Sequence, residues 1–290
     1  MLCTVYYCST NPLHQLCMKK FLLLPFILAA TTCMAQLTVA TYNIRNSNAA
    51  DGPNNWELRR DTLVALVKQI NPDILGTQEV LKDQLKYLTT TLTGYTAFGA
   101  GRNNGHHAGE HSAIFFKKDK FDLITGGNFW LSLTPKRPGS KSWDAAITRI
   151  CTWVKLKDKA TGAQLLVFNT HFDHRGKEAR RQSAALLRRM VDSLAAGLPV
   201  LVTGDFNFGP DDAAYYTMGS SNYKVGLTDS YTPGNLPYTD CGFEVSNQHC
   251  SRIDYIWYSR HFTQQGYKVH TNNNGIYYPS DHLPVSAVFK

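Results

Sequence analysis

Eight apolar stretches of strand length recur along this chain, and six of them carry a carboxylate, amide or imidazole at or beside one end. They are "LTVATYNI" (37–44), "DILGTQEV" (73–80), "HSAIFF" (111–116), "ICTWVKL" (150–156), "LLVFNTHF" (165–172), "PVLVTGDF" (199–206), "RIDYIWY" (252–258) and "PVSAVF" (284–289). Several are apolar on both faces, which predicts strands sandwiched between layers. Helical patterns lie between them. "WELRRDTLVALVKQI" sets Leu58, Leu63, Leu66, Val67 and Ile70 on one stripe and stops before Asn71-Pro72. "KEARRQSAALLRRMVDSLAAG" carries a second stripe, with Gly197 as its stop. Strands that alternate with helices and outnumber them predict a layered α/β or α+β domain; spacing leaves parallel and antiparallel arrangements open.

The polar ends need an explanation. In "LPVLVTGDFN" Asp205 and Asn207 stand two apart, a spacing that puts both on one face of a strand, although Gly, Asp and Asn also make ordinary turns. Asn43 ends the first run, and Gln78 and Glu79 end the second. "FNTHFDH" puts Asn169, His171 and Asp173 on one face and His174 on the other. Asp254 lies in an apolar run where Arg252 or Arg260 could pair with it, and Asp281-His282 precedes the last strand. Each has a bland reading alone. Together they do not, because an unpaired buried charge is costly and converging ends can satisfy one another around a cation. Glu79, Asp205, Asp281, Asn43 and Asn207 form an oxygen-rich set that suits Mg2+, Mn2+ or Ca2+ rather than zinc. Two histidines with acidic partners complete the pattern expected for phosphoester hydrolysis.

The ordered series "TYNIR", "TQE", "NTHFDH", "TGDFN", "RIDYIW" and "SDHLPV" resembles the endonuclease/exonuclease/phosphatase family, which includes DNase I, apurinic endonucleases, inositol-polyphosphate phosphatases, neutral sphingomyelinases and nocturnin-type deadenylases. It spans Asn43 to Val285, and six motifs in family order are far more specific than any one. The resemblance implies an α+β fold, a four-layer α/β/β/α sandwich, with the site at one rim of two sheets. It places catalytic roles on His171, Asp205, Asn207, Asp254 and His282, and metal-side roles on Asn43, Glu79 and Asp281. Asn169 and Glu110 ("AGEHSAIFF") are supporting residues, with Glu110 as the acid that buttresses His171. Asp205 and His282 both remain candidates for the general base.

The implied activity is a Mg2+-dependent (or Mn2+- or Ca2+-dependent) phosphoesterase, most of all a phosphodiesterase of nuclease type. The alternative is a phosphomonoesterase or a sphingomyelinase-like phospholipid hydrolase. Its partner is the phosphoester substrate: nucleic acid, nucleotide, phospholipid or phosphosugar. No obligate protein partner is implied. "VTGDFN" and "CSRIDY" depart from the inositol-phosphatase pattern, whereas "FWLS" with "SWDAAITR" is closer to the nocturnin branch and its exported bacterial relatives. Trp143 and Arg149 in that stretch are candidate substrate contacts, against loop packing and a surface charge. Arg175, Arg180, Arg181, Arg188 and Arg189 make a basic helix that faces nucleic acid or simply solvent. A zinc hydrolase reading of "HFDH" fails for want of a histidine at Asn169, and a non-catalytic binding protein would have lost a principal site residue.

Residues 1–35 read as a leader, with a start at Met18, Lys19-Lys20, an apolar core over 21–30 and a small-residue exit near Ala35. That apolar run is too short to span a bilayer. Residues 36–290 are then one exported domain, periplasmic or secreted, with lipid attachment at Cys33 as the lesser alternative. Without Lys19 and Lys20 the formal charge falls from +8 to +6, a balance compatible with an anionic substrate and equally with ordinary solubility. The domain keeps Cys241 and Cys250, which can close a short loop in an oxidising compartment, and Cys151 as a buried thiol.

Overall fold

The computed structural model describes residues 36–290; the expected start at Met18, the apolar core and Cys33 lie outside the described residues. In chain order the elements are β1 (Leu37–Asn43), α1 (Trp56–Ile70), β2 (Ile74–Val80), α2 (Lys82–Thr91), β3 (Tyr95–Phe98), β4 (His111–Lys117), β5 (Phe121–Trp130) and β6 (Ile150–Asp158). They continue with β7 (Gln164–His171), α3 (Lys177–Ala195), β8 (Val200–Asp205), α4 (Ala213–Met218), β9 (Leu227–Asp229), β10 (Asp254–Ser259), β11 (Gln264–Val269) and β12 (Val285–Phe289).

Period-two alternation sorts these strands into layers. Along β1, Leu37 and Val39 point into one apolar cluster while Ala40 and Tyr42 point into another that includes Leu63, Val64 and Val67 of α1. Along β7, Leu165 and Val167 join the first cluster, while Leu166 and Phe168 meet Leu187 and Val191 of α3. Three clusters therefore fill three gaps between four layers. The sheets run β11-β12-β1-β2-β4-β3 and β5-β6-β7-β8-β10-β9, giving the expected α/β/β/α sandwich. All eight runs read from sequence form strands.

The α1 stripe differs from expectation. Leu58 is 67% exposed, whereas Trp56, Leu63, Val64, Leu66 and Val67 are buried. Leu58 and Leu63 are five residues apart, about 140° around a helix, so both cannot face the sheet. Asn55 caps the start by accepting the Leu58 N–H at 3.3 Å, and Asn71 closes the end at φ +50°. At the end of α3 the left-handed residue is Ala196 rather than Gly197 alone.

Each sheet holds one parallel pair, β1–β2 joined through α1 and β7–β8 joined through α3; the other pairs are antiparallel. The carboxyl ends of both pairs carry site residues, Asn43 beside Gln78 and His171 beside Asp205 in register. The antiparallel β10 begins there too, with Asp254 opposite Asp205. Cys241 and Cys250 are bonded and Cys151 is a buried thiol, both as expected. Among the described residues no helix is long and apolar enough to cross a membrane.

Candidate active site at the rim of the two sheets

Side chains from both sheets meet above a polar seam. Below the rim, Asn169 donates to the carbonyls of Thr77 and Ala113 at 2.9 Å each, and its oxygen accepts from Gln78 (2.7 Å) and Thr203 (3.1 Å). Gly76 lets the sheets approach this closely: a Cβ there would stand 2.2 Å from Thr203 Oγ1. Above the seam, Asn43 Nδ2 lies 2.9 Å from Asp205 Oδ2, 3.1 Å from Glu79 Oε1 and 3.5 Å from His282 Nε2. His171 Nε2 lies 3.3 Å from Asp205 Oδ2, and His282 Nδ1 lies 2.8 Å from Asp254 Oδ2. A break in the β2–β4 register between Thr77 and Val80 turns Glu79 to φ +62° and lifts it out of the strand's alternation. Its second oxygen accepts the Asn46 backbone N–H and side chain at 3.0 and 2.8 Å.

Environment splits the protonation states. Burial penalises the His282 cation, but the charge of Asp254 and its hydrogen bond outweigh this and hold the imidazole protonated well above its usual range. His171 goes the other way, since burial and the nearby Arg149 and Arg102 keep it neutral. Burial and then Asp254 push Asp205 up to about 7, while burial raises Asp281. Glu79 stays below its ordinary value, because the Asn46 and Asn43 hydrogen bonds overcome burial. The cluster thus offers a donor at His282 and a proton acceptor at Asp205 that is poised near neutrality.

The donor chemistry fits a hard divalent cation. Glu79, Asp205, Asp254 and Asp281 are gathered at one rim, four carboxylates against Arg45 and His282 as nearby cations. Three potential ligands, Asp205, Asp254 and His282, lie within 4.8 Å of one another. Their hydrogen bonding makes them a proton-handling set, because a protonated histidine that donates to Asp254 has no lone pair at Nδ1 for a metal. Glu79 and Asp281 are the carboxylates left to hold an ion. Asn43 departs from the expected oxygen ligand: its Oδ1 accepts the Arg45 N–H at 3.0 Å and its nitrogen faces Glu79 and Asp205.

Other expectations also change. Strand β8 stops at Asp205; Phe206 dives into the core and Asn207 is left-handed at φ +51°. A turn, not strand alternation, therefore brings Asn207 to the site: its N–H bonds Asp205 Oδ1 at 3.0 Å and its Nδ2 bonds the Phe172 carbonyl at 3.0 Å. Asn169 has no donor left for a phosphate. Asp173 lies past the end of β7 and accepts the N–H groups of Ile147, Arg175 and Gly176, away from His171. Glu110 does not buttress His171, being 4.0 Å from Nδ1 and paired with Arg102 at 2.5 and 2.9 Å. Trp143, at φ +57°, belongs to the loop that caps α3 through Asp144 and is not brought to the cluster. Arg180 and Arg188 of the basic helix are buried; Arg188 donates to the carbonyls of Val225 and Ser220, so no continuous basic face exists.

Arg149 is no surface charge. It is 4% exposed, its Nε and Nη1 make no hydrogen bond although Nε lies 3.9 Å from Asp173 Oδ2, its Nη2 lies 3.2 Å from His174 Nδ1, and burial followed by Arg102 lowers it to about 10. With Arg102, Glu79 and His171 it lines a narrow crevice. Sequence reading missed Arg102, Arg45 and Arg59. Arg45 pairs with Asp51 and lies 3.3 Å from Asp281. Arg59 of α1 donates to the carbonyls of Ile44, Arg45, Asn54 and Pro279 at 2.6 to 3.1 Å, tying the loop after β1 to the loop before β12. Arginine on a buried helix face is the one signal that could have revealed it.

Comparison with known proteins agrees with this geometry. The model of the endonuclease/exonuclease/phosphatase family matches residues 40–282. Two solved structures from Bacteroides thetaiotaomicron are each 40% identical and cover 88% of this chain. One is a protein of that same family (TM-score 0.83, 97% of that chain) and the other a mannosyl-6-phosphatase (TM-score 0.81, 99% of that chain). Mouse nocturnin is 27% identical over 310 residues, 91% of this chain and 68% of nocturnin, so the chain spans about two thirds of that relative.

Proposed function

Because the chain belongs to the endonuclease/exonuclease/phosphatase family, whose members are metal-dependent phosphoester hydrolases, we propose that it is an exported, Mg2+-dependent phosphomonoesterase acting on a small phosphorylated molecule, a phosphosugar first. The observation that carries the monoester reading is Arg149. A monoester brings a second negative charge to the site, and a desolvated guanidinium beside neutral His171, with protonated His282 opposite, supplies the field that a dianion needs. The 40% identity to a mannosyl-6-phosphatase supports the same reading. The leader and the Cys241–Cys250 bond support export to an oxidising compartment.

Glu79 and Asp281 would hold the cation, whose charge would offset that of the phosphate and of the leaving oxygen. Asp205 accepts the proton of the attacking water, since His282 is already protonated and cannot act as base. Asn207, anchored through Phe172, fixes the direction of that water, and Asn43 spaces Glu79 from Asp205. His282 Nε2 donates to the charge developing on the phosphoryl oxygens, while Asp254 holds its ring. A diesterase of nuclease type is the second reading, favoured by the likeness to nocturnin.

The test is release of inorganic phosphate by the purified protein with Mg2+ from mannose 6-phosphate and glucose 6-phosphate, set against bis(p-nitrophenyl) phosphate and an oligoribonucleotide. Monoester turnover that EDTA abolishes and Mg2+ restores is expected. Faster cleavage of the diester or the RNA selects the second reading.

A further inference from the structure

Asp254 and His282 come from different sheets, and a short strip of chain joins the segments that carry them. The 230–253 connection between β9 and β10 passes between the start of β10 and the segment before β12. Fully buried Thr239 sits at the crossing. Its Oγ1 accepts the N–H groups of Ile253 and Asp254 at 3.0 and 3.1 Å, and its carbonyl accepts the Leu283 N–H at 2.6 Å. Asp240 and Ser251 exchange backbone hydrogen bonds at 2.9 Å in both directions, and the Cys241 N–H donates to the Asp281 carbonyl at 3.2 Å. One residue further on each side, the Cys241–Cys250 bond closes this loop over nine residues of sequence. The Asp254 and His282 segments are thus each hydrogen-bonded to a strip that the disulfide prevents from fraying, while β10 is held on its other side by β8.

We propose that Thr239 and the Cys241–Cys250 disulfide are positioning elements for the Asp254–His282 pair, so that full turnover requires the oxidised loop. The claim rests on the reading that this pair serves phosphoester hydrolysis. Between the two cysteines apolar packing does little of this job: residues 242–249 are exposed or half-buried, and the crossing at Thr239 is held by hydrogen bonds. Reduction would leave the three apolar clusters intact apart from Cys241 and Cys250, which pack in and against one of them. The strip would then exchange its bonds with water, and the 2.8 Å contact between His282 and Asp254 would lose its spacing. Misplacing a catalytic group by about 1 Å costs up to ~100-fold in rate.

The experiment compares the oxidised wild type, the same protein reduced with dithiothreitol and alkylated while folded, and the variants Cys241→Ser/Cys250→Ser, Thr239→Val and Thr239→Ser. Each is assayed for kcat and KM on p-nitrophenyl phosphate and for amide hydrogen exchange. Expected is a ~10- to 100-fold fall in kcat with little change in KM for the reduced protein, the double serine variant and Thr239→Val. Thr239→Ser, which keeps the hydroxyl, retains activity. Exchange accelerates in peptides spanning 251–256 and 281–285 while β7 and β8 stay protected. Unchanged kcat and unchanged exchange in the folded reduced protein would overturn the proposal. If the wild type hydrolyses no phosphoester, the exchange data still report whether the strip holds the pair, so the two failures are separable.

Discussion

Asp205→Asn should separate activity from stability. Burial and the charge of Asp254 hold the Asp205 carboxyl at about 7 instead of 3.8. Its proton affinity is higher in the folded than in the unfolded chain, so its favourable contribution is complete below about pH 4 and is lost as pH rises through about 7. Above that, ionising the folded group costs ~4 kcal/mol, at 1.36 kcal/mol per tenfold change in proton affinity. Asparagine has the shape of the protonated acid and removes that cost. Its oxygen can keep the Asn207 N–H, but its nitrogen then faces Asn43 Nδ2 in place of Oδ2, and losing that hydrogen bond costs ~1 kcal/mol. The variant should therefore be ~2–3 kcal/mol more stable than wild type at pH 8 in EDTA, and no more stable at pH 4.5. Urea unfolding followed by tryptophan fluorescence measures both values, and phosphate release should be lost throughout. A variant no more stable than wild type at pH 8 refutes the argument that this carboxylate is held against its own stability.

Two further outcomes follow from the seam and the loops. Gly76→Ala places a methyl over 1 Å inside contact with Thr203 Oγ1 and should cost ~1–3 kcal/mol; Thr203→Ala in the same chain should recover part of it, read by thermal unfolding. Arg59→Met strands four carbonyls and should destabilise by about 3 kcal/mol or more, with at least a tenfold loss of kcat because Asn43 and Asp281 lose their common anchor, measured by urea titration and steady-state assay.

What the sequence made legible divides cleanly in space. The eight strands read correctly occupy interior positions, and the four that were missed, β3, β5, β9 and β11, are the four sheet edges. Interior strands are covered on both faces and spell continuous apolar runs. The edge "QQGYKV" is short and polar, and in "FDLITGGNFW", ten residues long, the middle is exposed and Gly126-Gly127 interrupt the apolar run. The principal acids and histidines were legible because each interrupts an apolar run. Their partners were not. Glu110 is close to His171 yet spends its carboxylate on Arg102, and Asn207 reaches the site through a left-handed turn rather than strand spacing. Arg59 and Thr239 act on backbone carbonyls and amides, which leave no trace in residue type.

The two parallel pairs, one per sheet, each present an incomplete kit of reagents. Asn43, Glu79 and the His282 segment ride on one slab, while His171, Asp205 and Asp254 ride on the other. Neither slab alone owns both a proton acceptor and the donor that opposes it. Turnover is therefore a coincidence signal for slab-on-slab closure, and during refolding it should return last, with the burial of Gly76 against Thr203 rather than with helix or strand content.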